Sequence, residues 1–130
     1  MTNSYNDMSN TKCAMYIGSN AAEAHPVSML HMLNAKEHGS RMIVVDPRFT
    51  RTAAKADQYI RIRSGTDIPF LFGMLYHIFS NGWEDKKYID QRVFGMDEVR
   101  AEVAKWPPDV VENVTGIPPE EVKRAAQTMA

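Results

Sequence analysis

The amino-acid sequence predicts an α/β fold with a short parallel sheet of about three strands. Three observations support this prediction. Three short apolar runs each stop abruptly in a loop rich in Gly, Asp, Asn or Arg; a helix-like segment separates the first two runs; and the last third of the chain changes to short, charged helical pieces. The chain has 130 residues, of which 44% are hydrophobic and 24% charged, as expected for one soluble globular domain.

The first half of the chain alternates strand, helix and strand. Lys12–Ile17 is a short apolar run that a glycine ends, which is typical of a buried strand. Pro26 suits the first turn of a helix that extends up to the breaker Gly39. Arg41–Val45 is the clearest strand, and Asp46-Pro47 ends it because proline cannot continue a strand ladder. The spacing fits a right-handed parallel crossover, the unit of a three-layer Rossmann-like domain.

The next segments are shorter. Thr50–Ala56 can form only a short helix, and Gln58–Ile62 alternates polar and apolar side chains as an edge strand does. Thr66 or Asp67 can cap a following helix, which Gly82 ends. Further helical pieces are predicted at Asp85–Gln91, Asp97–Lys105, Pro107–Asn113 and from Pro118 onward.

The change of character after residue 83 divides the chain. We expect residues 1–83 to be an α/β segment and residues 84–130 a helical extension of the same domain. Three parallel strands are few for an open sheet, and the last predicted helix is still running at Ala130. The expectation is therefore a segment of a larger enzyme.

Composition and motifs exclude several classes of function. A net charge of −1 argues against nucleic acid as the partner. The single cysteine, Cys13, and four scattered histidines give no metal-ligand spacing, so neither a metal site nor a catalytic residue is predicted in this chain. The longest apolar stretch, Ile68–Ile78, is too short to span a bilayer, and no targeting signal indicates a compartment. The glycine-rich motifs of NAD sites and P-loops are absent.

The three loops that follow the apolar runs hold the candidate binding residues. The carboxyl ends of parallel strands form a ligand crevice, so these loops should converge on one extended polar ligand. Glycine lets a phosphate approach the backbone, Ser and Asn supply donors, a carboxylate accepts from ribose hydroxyls or a guanine edge, and arginine binds phosphate. The candidates are Gly18, Ser19, Asn20 and Glu23; Val45, Asp46, Pro47 and Arg48; and Arg63, Gly65, Thr66 and Asp67.

Each loop also has a purely structural interpretation. The first loop is also compatible with an ordinary turn between strand and helix. Asp46 could be a turn aspartate or a helix cap paired with a neighbouring arginine, and Thr66 or Asp67 could simply cap a helix. Glu23 could accept a ligand N–H or cap the segment that follows. No loop is specific by itself.

Three runs carry a family resemblance by their order and spacing: GSNAAEAHPV (Gly18–Val27), VVDPRFTRTAAKAD (Val44–Asp57) and RSGTDIPFL (Arg63–Leu71). They resemble the molybdopterin-binding oxidoreductases, and within that family they are most similar to the large, alpha catalytic subunit of molybdenum- or tungsten-dependent formate dehydrogenases. The opening MTNSYNDM and the later run NVTGIPPEEVKRAA (Asn113–Ala126) are similar too, so the resemblance covers nearly the whole chain.

The resemblance implies a cofactor and a role for each loop. In this family the corresponding region, here residues 1–83, holds one of two molybdopterin guanine dinucleotides. The first loop would line the dinucleotide, Asp46 would bind the ribose between its neighbours Pro47 and Arg48, and Gly65, Thr66 and Asp67 would recognise guanine. In the intact enzyme, formate would be oxidised to carbon dioxide, and two electrons would leave through the metal, the pterin and a 4Fe-4S cluster, as in anaerobic respiration.

The chain lacks other motifs of that family. The metal-ligating selenocysteine or cysteine followed by histidine, and the cysteines that hold the cluster, are absent. The resemblance thus implies that this chain binds neither metal nor cluster and does not oxidise formate by itself. Its implied partners are the rest of the catalytic subunit and an iron–sulfur electron-transfer subunit, in a cytoplasmic or periplasmic enzyme.

Two other classes of protein remain open from the residues alone. One is a stand-alone nucleotide-binding or regulatory α/β module, comparable to the middle domain of thiamine-diphosphate enzymes. The other is a purely structural or interaction domain.

Overall fold

A computed structural model describes residues 3–130. Its sheet has three strands, β1 (Cys13–Ile17), β2 (Arg41–Val45) and β3 (Gln58–Ile60), in the order β1-β2-β3, and both pairs are parallel. Val45 at the end of β2 pairs with Ile17 on one side and with Ile60 on the other, so the three carboxyl ends are level. The predicted α/β fold with a short parallel sheet is confirmed.

Helices account for most of the remaining chain. They are α1 (Ala21–Ala24), α2 (Pro26–Glu37), α3 (Asp67–Asn81), α4 (Lys86–Arg92), α5 (Met96–Val103), α6 (Pro108–Thr115) and α7 (Pro119–Met129). Two short 3₁₀ turns, Tyr5–Asn10 and Ala53–Lys55, complete the elements. No helix between residues 3 and 130 is both long enough and apolar enough to cross a membrane.

The structure differs from the sequence prediction in several details. The 3₁₀ turn Tyr5–Asn10 and helix α1 were not predicted, and the third strand ends at Ile60 rather than Ile62. The expected side-chain cap of α3 is also absent, because the Thr66 hydroxyl donates to the carbonyl of Arg63 at 2.7 Å instead of accepting a helix N–H.

The chain forms two compact units, one that ends at Ile62 and one from Arg63 to Ala130. In the first unit, α2 packs on one face of the sheet. The core on this face includes Met29, Met32, Ala35, Met42 and Val44, each of which is at most 4% exposed. Ile43 and Val45 alternate to the opposite face and are no more than 1% exposed. Burial on both faces explains why β2 is a continuous apolar run.

In the second unit, α3 is the central helix and packs against α5, α6 and α7. Phe70 and Met74 on α3 are 0% and 4% exposed. Beyond its C-terminal end, Glu84 forms an ion pair with Arg100 at 3.1 Å, and the Arg100 guanidinium lies 4.4 Å from the ring centroid of Phe79. The division of the chain between residues 83 and 84 stays a prediction.

Candidate cofactor-binding loops

The first loop leaves β1 at Gly18. The Gly18 N–H donates to the carbonyl of Val45 at 2.9 Å, which extends the β1–β2 pairing by one bond. Gly18 has φ +57°, a left-handed conformation that favours glycine, and a Cβ atom built there would find no atom within 4 Å. Gly18 and Ser19 are both exposed. The loop therefore offers open space beside its backbone.

Thr52 ties the first loop to the segment that follows the second. Its side chain is fully buried, and its hydroxyl donates to Asn20 Oδ1 at 2.9 Å while accepting the N–H of Ala22 at 2.9 Å. Glu23 lies in α1 and pairs with Arg51 at 3.6 Å. Both of these side chains are well exposed, so their ion pair contributes at most about 1 kcal/mol.

The second loop begins at the end of β2. Val45 is fully buried, and Asp46 is 8% exposed. Oδ1 of Asp46 accepts the N–H of Arg48 at 2.8 Å, so the carboxylate closes a tight turn. Pro47 and the Arg48 side chain are exposed. Asp46 therefore does act as a turn aspartate, although its partner is the Arg48 backbone and not the guanidinium.

Tyr59 supports the second loop from β3. Its hydroxyl donates to the Asp46 carbonyl at 2.9 Å, and the Phe49 ring packs edge-on against its ring with centroids 5.0 Å apart. Burial raises the pKa of Tyr59, and Asp46 raises it further against the opposing effect of Arg61. The hydroxyl thus keeps its proton and its donor role at neutral pH.

The one cysteine of the chain is not an activated nucleophile. Burial in β1 raises the pKa of the Cys13 thiol, and Asp57 adds to this effect. The thiol is therefore the dominant form at neutral pH, and thiols are poor nucleophiles and metal ligands. Within residues 3–130 no group of His, Cys, Asp or Glu side chains could hold a metal ion.

The third loop lies in the second unit. Gly65 is exposed with φ +82°, and a Cβ atom built there would find no atom within 4 Å. Asp67 is exposed in the first turn of α3, and its carboxylate makes no hydrogen bond or ion pair within the described part of the chain. Two residues upstream of Gly65, Arg63 Nη1 donates to the carbonyls of Asn113 at 2.8 Å and Val114 at 3.3 Å.

These contacts give Arg63 a structural task that the sequence did not indicate. The guanidinium satisfies carbonyls in the last turn of α6, where a cation also interacts favourably with the helix dipole. Its predicted contact with a ligand stays a prediction.

Within the first unit, the structure brings the first and second loops together through backbone and side-chain hydrogen bonds. The two supporting residues, Thr52 and Tyr59, were missed by sequence reasoning. The only sequence feature that pointed to Tyr59 was its place in a run that alternates like an edge strand. No sequence feature pointed to Thr52, because its partner Asn20 lies 32 residues away. Level strand ends with polar loops of donors and one carboxylate are typical of nucleotide-binding α/β proteins.

Comparison with known proteins shows which family of α/β proteins this chain resembles. The family model for molybdopterin oxidoreductases matches residues 1–113. Formate dehydrogenase H of Escherichia coli is 35% identical over 130 residues, which are the whole of this chain and 18% of that protein. F420-dependent formate dehydrogenase 1 subunit alpha of Methanococcus maripaludis is 34% identical over 127 residues, 98% of this chain and 19% of that protein.

The fold comparison agrees. The solved structure of acetylene hydratase from Pelobacter acetylenicus superposes with a TM-score of 0.82 and 32% sequence identity, over 88% of this chain and 16% of that one. The chain belongs to the molybdopterin oxidoreductase family. It spans less than a fifth of the length of each of these three relatives.

Proposed function

We propose that this chain is the part of a formate dehydrogenase alpha subunit that binds one molybdopterin guanine dinucleotide. The observation that carries the proposal is similarity along the full chain, at 34–35% identity, to two proteins named as formate dehydrogenases. In the whole enzyme, formate would be oxidised to carbon dioxide with the release of two electrons.

The geometry of the first unit is compatible with a nucleotide. Gly18 leaves open space beside its backbone, and the Asn20 amide N–H groups make no bond within the described chain. One oxygen of the Asp46 carboxylate closes the turn, and the other is left to accept a ribose hydroxyl. We propose that Ser19, Glu23, Pro47 and Arg48 border this ligand. We also propose that Val45, the buried last residue of β2, supports the second loop.

For the second unit we propose that Gly65, Thr66 and Asp67 recognise guanine. A carboxylate can accept two N–H groups from one edge of guanine, and adenine lacks the exocyclic amine at that position. The unpaired, exposed carboxylate of Asp67 is the group available for this role.

Substitution of Asp67 by Asn tests this assignment. The wild-type chain should bind GDP at least about tenfold more tightly than ADP, because a hydrogen bond to a charged group contributes about 1.5–3 kcal/mol. D67N should remove most of that preference and leave the affinity for ADP unchanged. Calorimetric titration of both nucleotides measures this.

Asp97→Asn is the matched control, because Asp97 is another exposed aspartate in a first turn, that of α5. It should keep the preference for GDP. Equal affinities of the wild-type chain for GDP and ADP, or equal effects of D67N and D97N, would contradict the assignment.

The metal and the cluster belong, in this proposal, to the rest of the enzyme. Molybdenum or tungsten would be carried by the pterin, a 4Fe-4S cluster would be held by other residues of the catalytic subunit, and an iron–sulfur subunit would receive the electrons.

We infer that the chain alone is inactive. The purified chain should not reduce a redox dye with formate, and formate-dependent reduction would contradict this inference.

The fold comparison favours cofactor binding over selection of the substrate as the role of this segment. Acetylene hydratase, whose name states a hydration, carries a segment similar to the one in the two formate dehydrogenases. A segment common to proteins named for different reactions is better suited to holding a shared cofactor than to selecting the substrate. Cofactor binding is therefore the primary role that we propose. Formate is the proposed substrate because two of the relatives are named as formate dehydrogenases.

A further inference from the structure

The hydroxyl of Thr52 makes two hydrogen bonds beside the first two loops. Thr52 is 0% exposed, so water cannot satisfy its hydroxyl. The hydroxyl accepts the N–H of Ala22, and its single proton then needs an acceptor. Asn20 Oδ1, at 2.9 Å, is that acceptor. This arrangement fixes which end of the Asn20 amide faces Thr52.

The orientation of Asn20 has a consequence for binding. With its oxygen on Thr52, the half-buried Asn20 side chain directs its NH₂ group away from Thr52, and that group bonds to no other residue within 3–130. It therefore presents two donors and no acceptor. Gly18, two residues earlier, leaves open space beside the same loop.

The partner of such donors should be an acceptor-rich, anionic group. The segment that carries Thr52 also carries two exposed cations, Arg48 and Arg51, of which Arg51 is paired with Glu23 at 3.6 Å. Phosphate oxygens combine acceptor capacity with negative charge. A guanine base presents both donors and acceptors, so a donor-only amide suits it less well.

We propose that Thr52 is a positioning residue, which holds the Asn20 amide so that its N–H groups bind a phosphate of the nucleotide. This inference rests on the proposed function and adds to it the part of the ligand that the first loop takes. Thr52 itself does not touch the ligand.

The test compares GDP with guanosine in calorimetric titrations of the full chain. Thr52→Val keeps the shape of the side chain and removes the hydroxyl, so it should weaken GDP binding about tenfold and leave guanosine binding unchanged. Thr52→Ser should restore GDP binding. Asn20→Ala should cause a loss similar to that of T52V, and the double variant should lose no more than either single variant, because both act through one contact.

A second readout needs no ligand. In nitrogen-15 spectra of the free chain, T52V should shift the side-chain amide signals of Asn20. Thr50→Val is the matched control: Thr50 is 5% exposed, and its hydroxyl accepts the N–H of Ala53 in the same segment. T50V should leave both the Asn20 signals and the ratio of GDP to guanosine affinity unchanged.

The outcomes separate this inference from the function on which it rests. If the wild-type chain binds GDP but T52V binds it equally well, or weakens GDP and guanosine by the same factor, the inference is wrong and the proposed function is untouched. Unchanged Asn20 signals in T52V would also overturn it. If the wild-type chain binds neither compound, the proposed function fails, and the phosphate assignment fails with it.

Discussion

Replacement of Phe70 by alanine is expected to lower the free energy of unfolding of the second unit by about 3–5 kcal/mol. Phe70 is 0% exposed and lies in the first turns of α3, the helix against which α5, α6 and α7 pack. Its truncation removes a large apolar side chain from the interior and leaves a cavity. Urea denaturation followed by tryptophan fluorescence measures the change, because Trp83 and Trp106 both lie in this unit.

Ile68→Ala is the matched control for this prediction. Ile68 is on the same helix but is 64% exposed, so the same kind of truncation should change the free energy by no more than about 0.5 kcal/mol. Equal effects of the two substitutions would contradict the packing described for α3. The result also concerns the candidate site, since α3 begins at Asp67.

Asp46→Ala is expected to weaken the binding of GDP about 10- to 100-fold. The proposed role of Asp46 is to accept a ribose hydroxyl, and a hydrogen bond to a charged group contributes about 1.5–3 kcal/mol. The carboxylate also closes the turn through the Arg48 N–H, so its loss loosens the loop. Titration calorimetry with GDP and with its 2′,3′-dideoxy analogue measures the two contributions.

The dideoxy analogue separates the ribose contact from the turn. It lacks the hydroxyls that Asp46 is proposed to accept, so the ribose part of the D46A effect should vanish with it. Asp46→Asn keeps an oxygen for the Arg48 N–H, so it should retain the turn and lose mainly the charge. Equal losses for GDP and the analogue in D46A would show that Asp46 acts only on the loop.

The elements that the sequence predicted well are those with strong local signals. Arg41–Val45 was predicted to the residue, because a β-branched run bounded by Asp46-Pro47 allows one interpretation. The turn Tyr5–Asn10 was missed because it is polar and has no apolar period; a hydrogen bond from the Ser4 N–H to the Asp7 carboxylate stabilises it. Helix α1 has four residues, too few for a periodicity to show.

The candidate site was only partly predictable. The position of Asp46 follows from the end of a strand, and its tight turn is a property of Asp before Pro. The bond from Thr52 to Asn20, and that from Arg63 to the carbonyls of α6, join residues 32 and 50 positions apart. Such contacts depend on the folded arrangement, and no local pattern in the sequence indicates them.

A titration of GDP into the nitrogen-15-labelled chain, followed residue by residue, tests whether these loops bind a guanine nucleotide. We expect saturable shifts of the backbone amides at Gly18, Asn20, Asp46 and Arg48 in the first unit, and at Gly65 and Asp67 in the second. Nucleotide binding by these loops would be contradicted if GDP shifted no amide near Gly18, Asp46 or Asp67, or only amides remote from these loops.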